Sequence, residues 1–240
     1  MPLDYPQRRQ NLVYGGKSGF IGYLMIRPPG PWRMYWKTLE GLVLWMDFNQ
    51  CQAIDLSGHG NNGTIYGAQC VQGRSGEALS FDGVDDYVEV LDSASLNITD
   101  EITIVVWFNT FAFTDPYYQG LVKRGTWENG FLIAVDVDPP HPVLLWFRKN
   151  DSGLGISFGA TEVGEWYQVV AVLRADGTAE GWLNGSLEKT VTKRALGSIS
   201  APLYIGSFEI ARFHNGLIDE VRIYNRALSE EEIKWLYEHT

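Results

Sequence analysis

Apolar and polar residues alternate most clearly in the segment GLIDEVRIY, close to the end of the chain. Leu217, Val221 and Ile223 fall on one side of it and mainly polar residues on the other, which is the two-residue period of a β-strand. Ser229 and Glu232 then have the spacing of a helix capping box, and an apolar stripe follows. The run predicts the closing strand of a β-sandwich, followed by a short C-terminal helix.

Short strand patterns separated by turn signals fill the chain from residue 42 onward. The pairs Asp176-Gly177 and Asn184-Gly185 are strong signals for β-hairpins. The segments ITIVVWFNT (residues 102–110) and WYQVVAVL (residues 166–173) are apolar on both faces. Such strands are buried on both sides, so the pattern favours two packed sheets.

Four motifs occur in a fixed order: DLSGHGNNGT (55–64), GEALSFDGVDDYVEV (76–90), ITIVVWFNT (102–110) and the C-terminal run. Together they resemble the laminin-G-like jelly roll of the concanavalin A-like lectin and glucanase superfamily, over roughly residues 42–240. The resemblance implies an all-β, two-sheet antiparallel jelly-roll sandwich. It leaves the function open, because the superfamily holds enzymes, lectins and adhesion modules.

Residues 1–40 do not follow the jelly-roll pattern and are predicted to form an extended N-terminal arm, with residues 41–240 as the jelly-roll domain. The arm is rich in proline and aromatic residues. It carries six basic and two acidic residues, against thirteen and twenty-seven in the remainder. A basic arm beside an acidic body fits an acidic partner, such as another copy of the chain or a capsid or filament protein. Solubility alone also accounts for the asymmetry.

Nucleic acid and membrane partners are disfavoured. The acidic body argues against broad phosphate binding, and the six basic residues of the arm form only a dilute patch. No segment has the roughly 20 apolar residues needed to span a bilayer. The N-terminus lacks the apolar core of a secretory signal. Either a signal has been removed, or the protein reaches its destination without one.

The two cysteines, Cys51 and Cys70, bracket the DLSGHGNNGT segment. A disulfide would close a loop of about twenty residues and stabilise the fold by roughly 3 kcal/mol. Two buried free thiols, the normal state in a reducing compartment, also fit the sequence.

Acidic residues are the strongest chemical signal, because calcium takes six to eight oxygen ligands. The resemblance implies calcium held by the first strand, a glycine-containing loop and the closing strand. It makes Asp219 the best ligand candidate, with Asp47 and the Asp82-Gly83 turn beside it and Asp55 as a further acid. The same residues also fit the capping of turns.

Catalysis is disfavoured, because glycoside hydrolases of this fold use carboxylates a few residues apart on one strand. No E-x-D-x-E or E-x-D-x-x-E pattern occurs, and Glu230, Glu231 and Glu232 lie at a helix start, where acids complement the helix dipole.

Aromatic residues give the third signal, because aromatic rings stack on the apolar face of a sugar. Trp127, Tyr117 and Tyr118 fall in predicted loops, and Trp146 completes the candidate carbohydrate-binding set. The sequence therefore predicts a non-enzymatic, lectin-like structural or adhesion module. We expect it on a virion or other extracellular surface, displayed on a particle or filament and anchored by its arm. The alternative is a secreted carbohydrate-binding module that recognises glycans through loop aromatics.

Overall fold

The computed structural model of the chain describes residues 32–114, 117–150, 155–192 and 194–240. Residues 1–31, which make up most of the predicted arm, lie outside the described residues. The following part of the arm forms a short helix, α1 (Trp32–Lys37), so this part of the chain is not extended.

The strands form two antiparallel sheets. The eight-stranded sheet contains β1 (Leu42–Met46), β3 (Gln69–Gln72), β4 (Glu77–Asp82), β6 (Ile102–Thr110), β11 (Trp166–Leu173), β12 (Ala179–Leu183), β13 (Ser186–Val191) and β15 (Asn215–Tyr224). The seven-stranded sheet contains β2 (Gly63–Tyr66), β5 (Tyr87–Val90), β7 (Tyr118–Gly125), β8 (Gly130–Asp136), β9 (Val143–Arg148), β10 (Ile156–Phe158) and β14 (Leu203–Ile205).

The order of strands in the larger sheet is β13-β12-β11-β6-β15-β4-β3, with β1 paired to β15, and in the smaller sheet β10-β9-β8-β7-β14-β5-β2. The inward faces of the two sheets meet in one core, in which Val106, Ile133, Leu145 and Ile205 are fully buried. This arrangement confirms the predicted two-sheet antiparallel sandwich.

The C-terminal helix, α2 (Glu230–His239), lies on the outward face of the eight-stranded sheet. Its capping box is formed, because the Glu232 amide donates to Ser229 Oγ and the Ser229 amide to the Glu232 carboxylate. Ile233 and Leu236 pack on outward side chains such as Val170. Helix α2 therefore covers the outward face of the eight-stranded sheet.

The end of the arm packs against α2. The rings of Tyr35 and Trp235 lie 6.1 Å apart, and Arg226 donates to the Lys37 carbonyl oxygen at 2.8 Å. The base of the arm is thus joined to the jelly roll. No helix in the described part of the chain is both long and apolar enough to cross a membrane.

Both predicted hairpins are present, joining β11 to β12 and β12 to β13. The closing strand differs from its predicted alternation. A β-bulge at Glu220, which has a φ of 51°, shifts the register of β15 against β6. One extra residue reverses the side on which earlier residues point, so Ile218 and not Leu217 joins the inter-sheet core.

Cys51 and Cys70 form a disulfide, with their Cα atoms 5.2 Å apart. It ties the loop after β1 to β3. Since the chain has two cysteines, no thiol is left free.

Candidate functional site

The outward face of the seven-stranded sheet carries a row of side chains that crosses three adjacent strands. Lys123 on β7 pairs with Leu132 on β8, and Leu132 pairs with Trp146 on β9. Paired residues point to the same side of a sheet, so these three side chains lie next to one another. Apolar residues that alternate with them along the strands, such as Val122, Ile133 and Leu145, point inward and join the core.

Four aromatic rings gather above this row. Trp127 comes from the turn between β7 and β8, and Phe208 from the loop after β14. The Trp127 ring lies 5.6 Å from the ring of Trp146 and 5.3 Å from that of Phe208. Tyr118 contacts the same two rings edge to face, at 5.4 Å and 5.9 Å. We call Tyr118, Trp127, Trp146 and Phe208 the aromatic cluster.

Gly120 allows the loop that carries Phe208 to reach the sheet. A Cβ atom on Gly120 would lie 2.5 Å from the Ser207 carbonyl carbon and 2.7 Å from the Phe208 nitrogen. Any larger residue would push the loop away from β7. This glycine therefore positions one wall of the aromatic cluster.

Two nearly buried cations support the rings. The Arg148 guanidinium lies 4.9 Å from the centre of the Trp127 ring and 5.0 Å from that of Trp146. It also donates to the Trp127 carbonyl oxygen at 2.8 Å. Cation–π contacts of this kind are strengthened by burial. Arg148 therefore fixes the turn that presents Trp127.

Lys123 supports Phe208 in the same way. Its ammonium lies 4.8 Å from the centre of the Phe208 ring and bonds Glu209 at 2.6 Å. Burial lowers the pKa of Lys123, and the contact with Glu209 works against that shift. The positive charge of Lys123 is thus stabilised by the Phe208 ring and the Glu209 carboxylate at the edge of the cluster.

The cluster lines a shallow depression with a cavity volume of about 10 Å³, room for about one water molecule. The Trp127 side chain is 49% exposed at its rim. A ligand with one apolar and one polar face would therefore lie on the exposed ring surface, beside the polar groups at its edge, and not inside a pocket. The residues that line the depression are Lys123, Thr126, Trp127, Gly130, Phe131, Leu132, Trp146, Arg148 and Phe208. This lining contains no pair of carboxylates for acid–base chemistry.

The structure brings together three of the four predicted carbohydrate-binding residues, Trp127, Trp146 and Tyr118. The prediction that Tyr118 lies in a loop was wrong, because it is the first residue of β7 and is nearly buried. Tyr117 lies at the edge, and the Arg212 guanidinium stacks on both tyrosines, 4.7 Å from the centre of the Tyr117 ring and 4.5 Å from that of Tyr118. Phe208 was not among the predicted residues, although an aromatic residue in a loop was the signal that identified Trp127. Lys123 and Arg148 carried a weaker signal, as charges in mainly apolar strands.

Asp219, the leading predicted metal ligand, is fully buried in β15. Its Oδ2 accepts from the backbone amides of Arg74 and Ser75 at 3.0 Å and 3.1 Å. Its Oδ1 has no hydrogen-bond partner among the described residues, and neither has Nε1 of Trp107, the residue paired with it on β6. Burial raises the pKa of Asp219 to about 7. The oxygen without a partner fits one metal bond. The amides of Arg74 and Ser75 favour the charged carboxylate, and burial, the stronger effect, favours the neutral carboxyl.

The other predicted metal ligands bond to nearby backbone amides. Asp47 accepts from Asn49, and Asp55 from the amides of Ser57 and Asn61. Asp82 accepts from the Val84 amide. These are the turn-capping roles that the sequence also allowed.

The predicted ligands do not form one site. Asp82 pairs with Asn215, four residues before Asp219 along β15, which separates the two acids by about 13 Å. The carboxylates of Asp82, Asp85 and Asp86 approach one another within 4.8 Å at the turn that contains Gly83. One ion cannot bind both this turn and Asp219. Calcium stays a prediction, with Asp219 as its sharpest test.

Comparison with known proteins places this geometry in a family. A family model described as the concanavalin A-like lectin/glucanases superfamily matches residues 82–234. No curated protein sequence matches the chain. Solved structures with the same fold include the binding domain of Paraclostridial Mosquitocidal Protein 1, with a TM-score of 0.69 and 18% sequence identity. That match covers 83% of this chain and 52% of the toxin domain.

Two further matches differ in how much of the known structure they cover. Domain 4 of AbnA, an extracellular GH43 arabinanase from Geobacillus stearothermophilus solved with arabinotriose, matches at TM-score 0.62 and 17% identity, covering 82% of this chain and 98% of that domain. The botulinum neurotoxin serotype G binding domain matches at TM-score 0.68 and 14% identity, covering 82% and 50%. The chain thus spans about half of the toxin binding domains and nearly all of the arabinanase domain.

Proposed function

The chain belongs to the concanavalin A-like lectin/glucanase superfamily, and on this premise we propose that it is a lectin-like module that binds glycans through its aromatic cluster. The observation that carries the proposal is the convergence of Tyr118, Trp127, Trp146 and Phe208 on the outward face of one sheet. The four rings come from separate segments of the chain, and only the fold brings them together.

The chemistry of the cluster suits a sugar. A sugar ring has an apolar face of C–H groups, which stacks on an aromatic ring, and hydroxyl groups, which bond to polar side chains at the rim. Trp127 supplies an exposed ring face, and Glu209 supplies a carboxylate beside it. Because no acid–base pair lines the depression, the proposal is binding without cleavage.

The comparisons support a binding module rather than an enzyme. The matched arabinanase domain was solved with arabinotriose, and another structure of similar fold reports that botulinum neurotoxin type C entry depends on two ganglioside molecules. The match covers only about half of that toxin domain, so we do not infer ganglioside binding for this chain. The arabinanase domain, covered at 98%, is the stronger support.

We expect a glycan array to show binding by the wild-type protein and loss of binding by Trp127→Ala. The matched control is Trp36→Ala, because Trp36 is exposed to 48% but lies on α1, away from the cluster. Removing a central aromatic contact typically costs about 2 kcal/mol or more, which is about 30-fold in Kd. An array without any bound glycan, or equal binding by both variants, would contradict the proposal.

We further propose that the module is displayed on the surface of a particle or filament and anchored by residues 1–40. The disulfide between Cys51 and Cys70 supports a location outside a reducing compartment. The contacts of Tyr35 and Lys37 with the C-terminal part of the chain support a fixed base for the arm.

Removal of residues 1–40 tests this anchoring. The strands and the core begin at Leu42, so the truncated protein should keep its β-sheet content and its glycan binding but lose assembly. Size-exclusion chromatography and electron microscopy would measure the assemblies. Normal assemblies formed by residues 41–240 would show that the arm is not the anchor.

A further inference from the structure

A second group of aromatic rings lies on the same outward face of the seven-stranded sheet. Tyr66 on β2 and Tyr87 on β5 are stacked, with ring centres 4.6 Å apart. Tyr87 also contacts Tyr204 on β14 at 6.0 Å and Phe213 at 6.4 Å. We call Tyr66, Tyr87, Tyr204 and Phe213 the tyrosine strip.

The strand register joins the tyrosine strip to the aromatic cluster. Tyr204 pairs with Glu89 on one side and with Lys123 on the other. Lys123 begins the row that runs through Leu132 to Trp146. Neighbouring strands are about 4.8 Å apart, so Tyr204 and Trp146 are separated by about 14 Å. One extended ligand can lie across this face and touch both groups.

Polar side chains occupy the space between the two groups of rings. Lys123 and Glu209 are bonded at 2.6 Å, and the Tyr204 hydroxyl donates to Glu89 at 3.2 Å. Burial raises the pKa of Tyr204, and the nearby charges of Glu89 and Glu209 raise it further. On this side of the sheet, aromatic rings therefore alternate with side chains that donate and accept hydrogen bonds. Linked sugar units offer the same alternation of apolar faces and hydroxyl groups.

The charges near the tyrosine strip select the type of glycan. Glu89 lies on the face of the strip, where it pairs with Tyr204 and accepts a hydrogen bond from the Tyr204 hydroxyl. Lys123, the cation that pairs with Tyr204 across the strands, is already bonded to Glu209. The other nearby cation, Arg212, stacks on the rings of Tyr117 and Tyr118. A carboxylated sugar over the strip would therefore meet the carboxylate of Glu89 with both cations already engaged, whereas a neutral sugar would meet no charge repulsion.

We propose that the outward face of the seven-stranded sheet binds a neutral oligosaccharide in two subsites, with the aromatic cluster holding one part and the tyrosine strip another. The inference rests on the glycan-binding function proposed above and adds the length and charge of the ligand. It follows from the register that sets Tyr204, Lys123 and Trp146 in one row. A ligand that spans both subsites gains affinity because the second contact is intramolecular.

Isothermal titration calorimetry on the full chain tests this inference with a length series. The probes are neutral oligosaccharides, from disaccharide to hexasaccharide, of the glycan bound best on the array, and the same hexasaccharide with a carboxylate on each end unit in turn. The variants are Trp127→Ala and Tyr66→Ala, because the Tyr66 side chain is 40% exposed and can be removed without opening the core. Phe111→Ala is the control, because Phe111 is a 48% exposed ring at the end of β6 in the other sheet.

For the wild type we expect affinity to rise with length and then level off. Tyr66→Ala should weaken the hexasaccharide about tenfold and leave the disaccharide unchanged, whereas Trp127→Ala should weaken both. A carboxylate on the end that reaches the tyrosine strip should weaken binding in the wild type and Phe111→Ala.

The outcomes separate this inference from the proposed function. Length-independent binding, or an unchanged hexasaccharide affinity in Tyr66→Ala, overturns the two-subsite inference while glycan binding stands. Tighter binding of both carboxylated hexasaccharides overturns the neutral-ligand inference. Absence of all glycan binding overturns both the two-subsite inference and the proposed glycan-binding function. The expected partner of this face is then an apolar surface on another protein.

Discussion

Asparagine in place of Asp219 is expected to stabilise the protein by up to about 4 kcal/mol at pH 8 and to change little at pH 4. Burial raises the pKa of this carboxyl to about 7, whereas it titrates near 4 in an unfolded chain. Between these values the unfolded chain has lost the proton that the folded protein still holds. The contribution of Asp219 to the free energy of unfolding therefore falls as pH rises from 4 to 7, and asparagine removes this contribution.

Urea unfolding of the wild type and Asp219→Asn, at a series of pH values in the presence of a chelator, measures the difference. Asp100→Asn, a change at an exposed carboxyl, is the control. Parallel curves for the wild type and Asp219→Asn would contradict the prediction.

The same pair of proteins tests the predicted calcium ion. An ion that binds only the folded state stabilises it by mass action. If calcium binds Asp219, added calcium at pH 8 should raise the melting temperature of the wild type but not of Asp219→Asn, and the chelator should reverse the effect. An equal response of both proteins, or none, would show that Asp219 holds no calcium.

Leucine in place of His214 is expected to remove a contribution to the free energy of unfolding that falls by about 3 kcal/mol as the protein is acidified. His214 is fully buried between Phe81 and Phe108, and burial lowers the pKa of its imidazole to about 4. The unfolded chain takes up this proton near pH 6.5, so the contribution of His214 to the free energy of unfolding falls as pH falls from about 6.5 to 4. Relative to the wild type, His214→Leu should gain about 3 kcal/mol in free energy of unfolding as pH falls from 6.5 to 4, whereas His59→Leu, at an exposed histidine, should keep a constant difference from the wild type. The same pH dependence in both variants would contradict the prediction.

Asp219 and His214 act in opposite directions over nearly the same pH range. As pH rises from 4 to 6.5, the buried carboxyl lowers the free energy of unfolding and the buried imidazole raises it. The two contributions largely cancel in the wild type, so its stability should change little with pH. In Asp219→Asn the free energy of unfolding should rise with pH, because only His214 contributes. In His214→Leu it should fall with pH, because only Asp219 contributes.

The fold was predictable because its signals are local in sequence. The turn at Asn184-Gly185 and the capping box of Ser229 and Glu232 are each set by residues within four positions of one another. The family motifs added the two-sheet jelly-roll fold, but not the order of the strands within each sheet. The bulge at Glu220 was not predictable, because it depends on how β15 pairs with β6, more than a hundred residues earlier.

The candidate site was only partly predictable for the same reason. Trp127 stood out as an aromatic residue in a loop, but its contact with Phe208 joins positions 81 residues apart. That contact depends on the sheet order that sets β14 beside β7, and on Gly120, which lets the loop approach. The tyrosine strip depends on the pairing of β2 with β5 and of β5 with β14.

The most direct test of glycan binding at the aromatic cluster uses the tryptophan indole N–H resonances of ¹⁵N-labelled protein. The chain has nine tryptophans, distributed over both sheets and the helices. On titration with the neutral oligosaccharide bound best on the array, the signals of Trp127 and Trp146 should shift while those of Trp107 and Trp182, on the other sheet, stay in place. Shifts confined to Trp107 and Trp182, with Trp127 and Trp146 unmoved, would contradict the account.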